Sequence, residues 1–472
     1  MPQLKKTIGL WSATTIVIGS VIGSSIFMKP ATMASQLGSP YMLLLVWLVA
    51  GIISIFGAMS FAELGTMFPE TGGQYIYLRK SFGDFIAYLY GWSSIAVVNT
   101  AAIAAIAFVC AEYTGYFLHL PHFDFATERS IVIHIPMIGD ILPLQNFGVK
   151  TLAIAIIIAL TIINYISVRS GNAIQFVAAL LKTLAILILV FGILFSGKGS
   201  VNNFMTNSPS FHLKGWALFA ACMSATTGAF AAYDGWNNLN MVAGEIKNPN
   251  RNITSSLLIG LSICILVYVL VTLAYMYVLP IDTMAVSPLV ASDATEKVMG
   301  TIGGTIIAVL IVISTFGATN VNLLTNARVV FAMSGTKVFF EWAGKVHPKF
   351  QTPSNAVIIL GVWSSLLVLS GSFDILADMF IFMSWVFYGL VVAGVFILRK
   401  RLPAQERPYR VWGYPLVPAI FILFTCFYIG TTLYNDISNY LAGKSPVINS
   451  AFGLLLTAIG VPLFFYFKKK DR

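Results

Sequence analysis

The sequence predicts an all-α, polytopic membrane protein of about twelve spans. Three observations carry this. Of its 472 residues, 58% are hydrophobic and only 10% are charged, whereas a soluble domain carries roughly 25% charged residues. Apolar runs of about 20 residues, the length a helix needs to cross the hydrocarbon core, recur from end to end. Lys and Arg are placed asymmetrically: with the N-terminus inside, 20 of the 28 fall in cytoplasmic segments and 7 (Lys29 among them) outside, and Lys182 lies within a span. This positive-inside bias puts both termini in the cytoplasm. It also explains the net charge of +10 without any nucleic-acid partner.

In chain order the spans cover about 8–34, 40–68, 84–117, 148–168, 171–196, 213–244, 252–279, 300–334, 354–371, 374–399, 413–435 and 446–467. The first is not a cleaved leader, since it lacks a small-residue cleavage site and runs on into a more polar, interrupted helix. It contains "GSVIGSSIFMKP" (Gly19–Pro30). Glycine is costly inside a helix and adjacent serines compete for backbone hydrogen bonds, so Gly23, Ser24 and Ser25 mark a break. At the end of span two, Glu63 and Glu70 read as cytoplasmic-end packing and solvated charge. The external loop at about 118–147 holds His119, His122 and His134, in a spacing that suits no common metal site. In span five, Lys182 is too far from either face to snorkel, so its ammonium needs carbonyls or a polar cavity. "GILFSGKGS" (Gly192–Ser200) matches a phosphate loop only partly: no Ser or Thr follows Lys198, and no strand precedes it. Without an ATP site, any transport would have to be driven by gradients or by exchange.

Span six reads "TTGAFAAYDGWNNLN" (Thr226–Asn240). Small residues precede Asp234, and an acid at this depth is expected to face a cavity or a partner. Capping the amides of this second break is the favoured role for Asp234, with a proton site as the alternative. "GEIKNPNR" (Gly244–Arg251) reads as a charged cytoplasmic connector that braces moving helices, with a plain helix stop at Pro249 as the alternative. Tyr268 and Thr272 in span seven read as packing. Ser384 in span ten reads as a helix serine bonded to its own backbone. The four cysteines, Cys110, Cys222, Cys264 and Cys426, fall in four different spans and form no disulfide or metal pattern. No nucleophile–base pair or metalloprotease motif is present, so no enzymatic activity is expected and no cofactor is implied.

The two broken spans stand five apart. An odd repeat inverts its second copy, so the expected architecture is a five-plus-five inverted repeat: about 1–196 and 197–400, with two additional helices in 401–472. Broken helices expose amides at one end and carbonyls at the other. The amides suit a carboxylate and the carbonyls an ammonium. The backbone alone therefore points to a zwitterion or an ion pair.

These segments resemble the amino acid–polyamine–organocation superfamily, and within it the L-type amino acid transporter branch. The resemblance rests on "IGSVIGSSIF", "FAELGTMFPETGGQYIYL" (Phe61–Leu78), "AAYDGWNNLNMVAGEIKNPNRN", "HPKFQTP" (His347–Pro353) and "LRKRLPAQERPYRVWGYP" (Leu398–Pro415). It implies that the amides of Gly23, Ser24 and Ser25 meet the substrate carboxylate. Val21, Ile22 and Ala231 would offer carbonyls to the amino group, and Ala231, Ala232, Tyr233 and Asp234 would line the side-chain pocket. Lys182 matches a lysine that in relatives takes the place of a sodium ion and ties helices one and eight to its own. Two positions depart from the family pattern. Ser25 stands where Gly is usual, and Ala231 stands where a bulky aromatic often closes the site, which leaves Phe230 as the candidate gate.

The resulting expectation is a sodium-independent exchanger of small neutral L-amino acids in the cell membrane of a bacterium, working by alternating access. Proton-coupled uptake is the alternative. In eukaryotic relatives an external cysteine joins a heavy subunit. The loop at 118–147 has no Cys, so no disulfide-linked partner is expected.

Overall fold

The computed structural model describes residues 8–70, 72–166, 181–209, 211–334, 339–348, 350 and 352–470. The chain is an all-α membrane protein. Nine helices among the described residues are long and apolar enough to cross a bilayer. They are α3 (Pro40–Met67), α5 (Asp84–Thr114), α6 (Phe147–Ile166), α8 (Gly215–Tyr233), α10 (Pro249–Val278), α11 (Val290–Ser334), α13 (Phe373–Arg401), α14 (Leu416–Leu441) and α15 (Asn449–Lys469). α1 (Leu10–Val21), α7 (Leu181–Gly192) and α12 (Ser354–Ser370) are apolar but shorter. The remaining helices used below are α2 (Lys29–Leu37), α4 (Gln74–Phe82) and α9 (Asn238–Met241).

The differences from the expected twelve spans have local causes. Span one is divided between α1 and α2 by its break. The first part of span five, 171–180, lies outside the described residues. Span nine is a helix of 17 residues. Span eight begins earlier than expected, at Val290, and bends at Gly300, where φ is +69, a value that glycine adopts without steric cost.

Large apolar side chains such as Ile52, Ile158, Ile162 and Val362 lie on the outside of the bundle, where lipid replaces water as the solvent. Inside, small residues let helices approach closely. A Cβ on Gly260 would sit 2.6 Å from Val17 Cγ1, and one on Gly51 would sit 2.5 Å from Ile265 Cγ1. These glycines seat α10 against α1 and α3.

The 118–147 loop carries an antiparallel hairpin, β1 (Ile133–Ile135) and β2 (Gly139–Ile141). Asp140 N donates to Pro446 O (2.7 Å) and Ile448 N to Ile138 O (2.8 Å), so the hairpin docks on the α14–α15 connection. His134 pairs with Asp140 across the hairpin at 2.7 Å. At the connector after span six, Ile8 N donates to Glu245 O and Lys247 N to Ile8 O. Pro249 does not stop a helix; it occupies the first turn of α10, where its missing N–H costs nothing.

Glu63 corrects a second expectation. Its side chain is fully buried rather than solvated. Arg399 Nε and Nη2 donate to its two oxygens at 2.8 and 2.6 Å, and Val411 N adds a bond of 2.7 Å. The Arg399 guanidinium also lies 3.6 Å from the Tyr414 ring centroid. Glu70, by contrast, is exposed. Removing one member of a buried, bidentate pair leaves the other charge uncompensated, at about 3–5 kcal/mol. Glu63→Ala should therefore lower the melting temperature in detergent. Arg399→Lys should also lower it, because an ammonium cannot reproduce the two-pronged bond. An unchanged melting temperature for Glu63→Ala would show that the pair does not hold α3 to α13.

Candidate substrate site

α1 ends at Val21, and Ile22 turns to an extended conformation. The chain resumes as a 3-10 turn, Ser25–Phe27, and then as α2. Between them the amides of Gly23, Ser24, Ser25 and Ile26 donate to no backbone carbonyl among the described residues, and Phe27 N is the first to find one (Ser24 O, 3.0 Å). Consecutive free amides leading into a helix form a concave anion site.

The second break has the opposite polarity. α8 ends at Tyr233, Asp234 is extended, and Gly235 takes φ +105. The carbonyls of Ala231, Ala232 and Tyr233 accept no backbone amide among the described residues. The two breaks touch at Gly235, whose Cβ, if it had one, would lie 2.6 Å from Ser20 O.

Lys182 and Tyr268 are among the side chains that reach the carbonyls of these breaks. Lys182 on α7 donates to Gly19 O at 3.0 Å and to Ile22 O. Among the described residues its ammonium bonds span one and no atom of span eight. Tyr268 on α10 places its hydroxyl 2.8 Å from both Val21 O and Ala232 O, so one hydroxyl hydrogen is shared between the two breaks. Tyr268 thus does more than pack. The available signal was its type: a tyrosine inside an apolar helix has a polar tip that needs a partner.

Val21, Ile22, Ser24, Ser25, Ala231, Ala232 and Tyr233 are buried, while Gly23 and Asp234 are partly exposed. Tyr233 turns toward span two: its ring packs on Trp47 and Tyr268, and its hydroxyl donates to Trp47 O at 3.2 Å. Phe230 is held by spans ten and eleven, stacked 3.7 Å from Trp385 and edge-on to Phe424 and Tyr428. Asp234 accepts a hydrogen bond from a hydroxyl: Tyr388 on α13 donates at 2.5 Å, and the same hydroxyl lies 3.2 Å from Asn237 Oδ1. Ser384 donates to Phe380 O of its own helix. Lys29, counted with the outward-facing cations, is buried between Asp374 and Asp378.

The family model described as amino acid permease matches residues 8–460. The serine/threonine exchanger SteT of Bacillus subtilis is 32% identical over 99% of this chain and 98% of its own. The b(0,+)-type amino acid transporter 1 of Mus musculus is 31% identical over 90% of this chain and 82% of its own. The human cystine/glutamate transporter is 30% identical over 100% of this chain and 87% of its own.

Gly235 and Gly197 both have positive φ, but nothing lies within 4 Å of a Cβ at Gly197. Gly197→Ala should therefore cost about 1 kcal/mol, the backbone term alone. Gly235→Ala should cost that plus about 1–3 kcal/mol of overpacking against Ser20. Thermal unfolding in detergent checks the difference. Equal losses would show that the breaks do not rest on each other at Gly235.

Proposed function

The chain belongs to the amino acid permease family, and from that premise we propose that it exchanges small neutral L-amino acids across a bacterial cell membrane, independently of sodium. The observation that carries this is the opposite polarity of the two breaks: among the described residues the amides of Gly23–Ile26 donate to no backbone carbonyl, and the carbonyls of Ala231–Tyr233 accept no backbone amide. An α-amino acid carries a carboxylate and an ammonium on one carbon, and this arrangement receives both. The amides of Gly23, Ser24 and Ser25 hold the carboxylate, and the carbonyl of Ala231 holds the ammonium, beside those of Val21 and Ile22. Ala231 and Ala232 keep the pocket open, and Asp234 with Tyr388 supplies a polar wall suited to a hydroxyl side chain. The likeness to a serine/threonine exchanger over nearly the full length of both chains supports a small substrate.

Lys182 supports sodium independence, because a fixed ammonium on the span-one carbonyls occupies ground a cation would need. Alternating access follows from an inverted repeat, 1–196 against 197–400, with 401–472 outside it. Both termini face the cytoplasm on the charge distribution. The absence of Cys from 118–147 supports a chain that works without a disulfide-linked heavy subunit.

Radiolabelled L-serine uptake into proteoliposomes tests the reading. Uptake should require unlabelled amino acid inside and should ignore both sodium and a proton gradient. Uptake into empty vesicles driven by protons would replace exchange with symport, centred on Asp234. Lys182→Ala should slow exchange by at least about tenfold, the cost of leaving buried carbonyls without a donor, while the protein still folds. Normal exchange by that variant would remove Lys182 from the mechanism. Ser25→Gly should change the competition profile among amino acids, and an unchanged profile would make Ser25 a packing residue.

A further inference from the structure

Lys29 opens α2, and its side chain is 2% exposed. Its ammonium lies 2.6 Å from Asp374 Oδ1 and 2.8 Å from Asp378 Oδ1. The two acids stand one helical turn apart on a single face at the start of α13. Thr32, one turn along α2, donates to Asp374 Oδ2 at 3.3 Å, and the Phe373 ring lies under the ammonium at 5.2 Å. Every contact in this cluster joins α2 to α13.

The cluster lies at the opposite end of α13 from Arg399 and Glu63. Arg401 at that far end donates to Ser81 O, and Tyr77 on the same short helix donates to Asn240 Oδ1, close to the connector that holds Ile8. The Lys29 cluster is therefore on the face away from the start of the chain, the outer face in the proposed topology. It borders a polar cavity of about 320 Å³ whose walls include Thr227, Asp436 and Asn449. α2 also presses on α8: a Cβ on Gly228 would lie 2.9 Å from Met33 Cγ and 3.5 Å from Lys29 Cβ. α2 thus lies against α8 and reaches α13 through the side chains of Lys29 and Thr32, and Thr227, beside Gly228, is only 7% exposed.

A buried lysine between two carboxylates adds little net stability over an apolar contact, but losing one partner is strongly penalised. Such a contact suits an element that must be either fully joined or fully apart. The apart state is prepared for here. Asp374 and Asp378 are 44% and 28% exposed to the cavity side, so water can replace the ammonium as α2 leaves.

We propose that Lys29, Asp374 and Asp378 form an ion-pair latch that closes α2 on α13 and seals the outer route to the helix breaks. The proposal rests on the alternating-access reading above. Lys29 is then a positioning residue that touches no substrate. Its pairing must break each time the site faces outward.

A cysteine reporter at Thr227→Cys, in the full-length protein in proteoliposomes, tests this with a membrane-impermeant maleimide. Label taken by the four native cysteines is subtracted using the chain without the reporter. Labelling should be at least about tenfold faster in Lys29→Gln and Asp378→Asn than in the parent, because a lost pair partner shifts the closed–open balance by that order. Adding Asp378→Asn to Lys29→Gln should speed labelling by no more than about threefold beyond Lys29→Gln alone, because both changes remove one interaction. Equal labelling in parent and single variants, or effects that multiply in the double variant, overturns the latch. Should Lys29→Gln fail to fold, Asp374→Asn and Asp378→Asn carry the same test. If no variant and no parent exchanges amino acids, yet labelling still follows the pairing, the transport reading fails and the latch stands.

Discussion

Backbone polar groups at membrane depth must find partners inside the protein, and the rest of this molecule is arranged around two places where a helix cannot supply them. At the first break the orphan carbonyls are answered by side chains from other spans: Lys182 at Gly19 and Ile22, and Tyr268 at Val21. Among the described residues the orphan amides at Gly23–Ile26 find no backbone carbonyl. At the second break the Ala232 carbonyl shares Tyr268, and among the described residues those of Ala231 and Tyr233 accept no backbone amide. The two breaks are therefore polar in opposite senses, and they meet where Gly235 lies against Ser20.

α13 connects this site to both faces of the protein. Its first turns hold Lys29 of α2 through Asp374 and Asp378. Near its middle, Tyr388 bonds Asp234 at the second break. Near its far end, Arg399 clasps Glu63 of α3. Each of these contacts joins α13 to an element next to or containing a break. A shift of α13 relative to α2 and α3 thus cannot occur without exchanging charged contacts at one face or the other. That makes such a shift a transition between discrete arrangements rather than a gradual sliding.

The features legible in the sequence are those written in short stretches. Span limits follow from runs of apolar residues, and most helix edges fall within a few residues of those runs. Both breaks are visible as small residues where a helix gains nothing from them, and the need of Lys182 for carbonyls follows from its depth alone. What was not legible depends on pairing across the chain. Lys29 looks like a loop cation until Asp374, 345 residues away, is placed beside it. Glu63 looks solvated until Arg399 meets it. Nothing near Asp234 in the sequence shows the Tyr388 hydroxyl, 154 residues away, that donates to it. The type of Tyr268 shows that its hydroxyl needs a partner, but not that the partners are the carbonyls of both breaks. The early start of span eight was hidden for a different reason: Gly300 marks a bend, and hydropathy does not register the helix before it.

The central claim is that the two breaks recognise the two charged ends of one small molecule, and a ligand series measures it directly. The purified protein would be melted in detergent with L-serine, with serine amide, which keeps the ammonium and loses the carboxylate charge, with ethanolamine, which lacks the carboxyl group, and with N-acetylserine, which lacks the ammonium. The account predicts a rise in melting temperature with L-serine and none with the other three at the same concentration. Stabilisation by ethanolamine or N-acetylserine equal to that by L-serine would show that one break binds without the other, and would contradict the account.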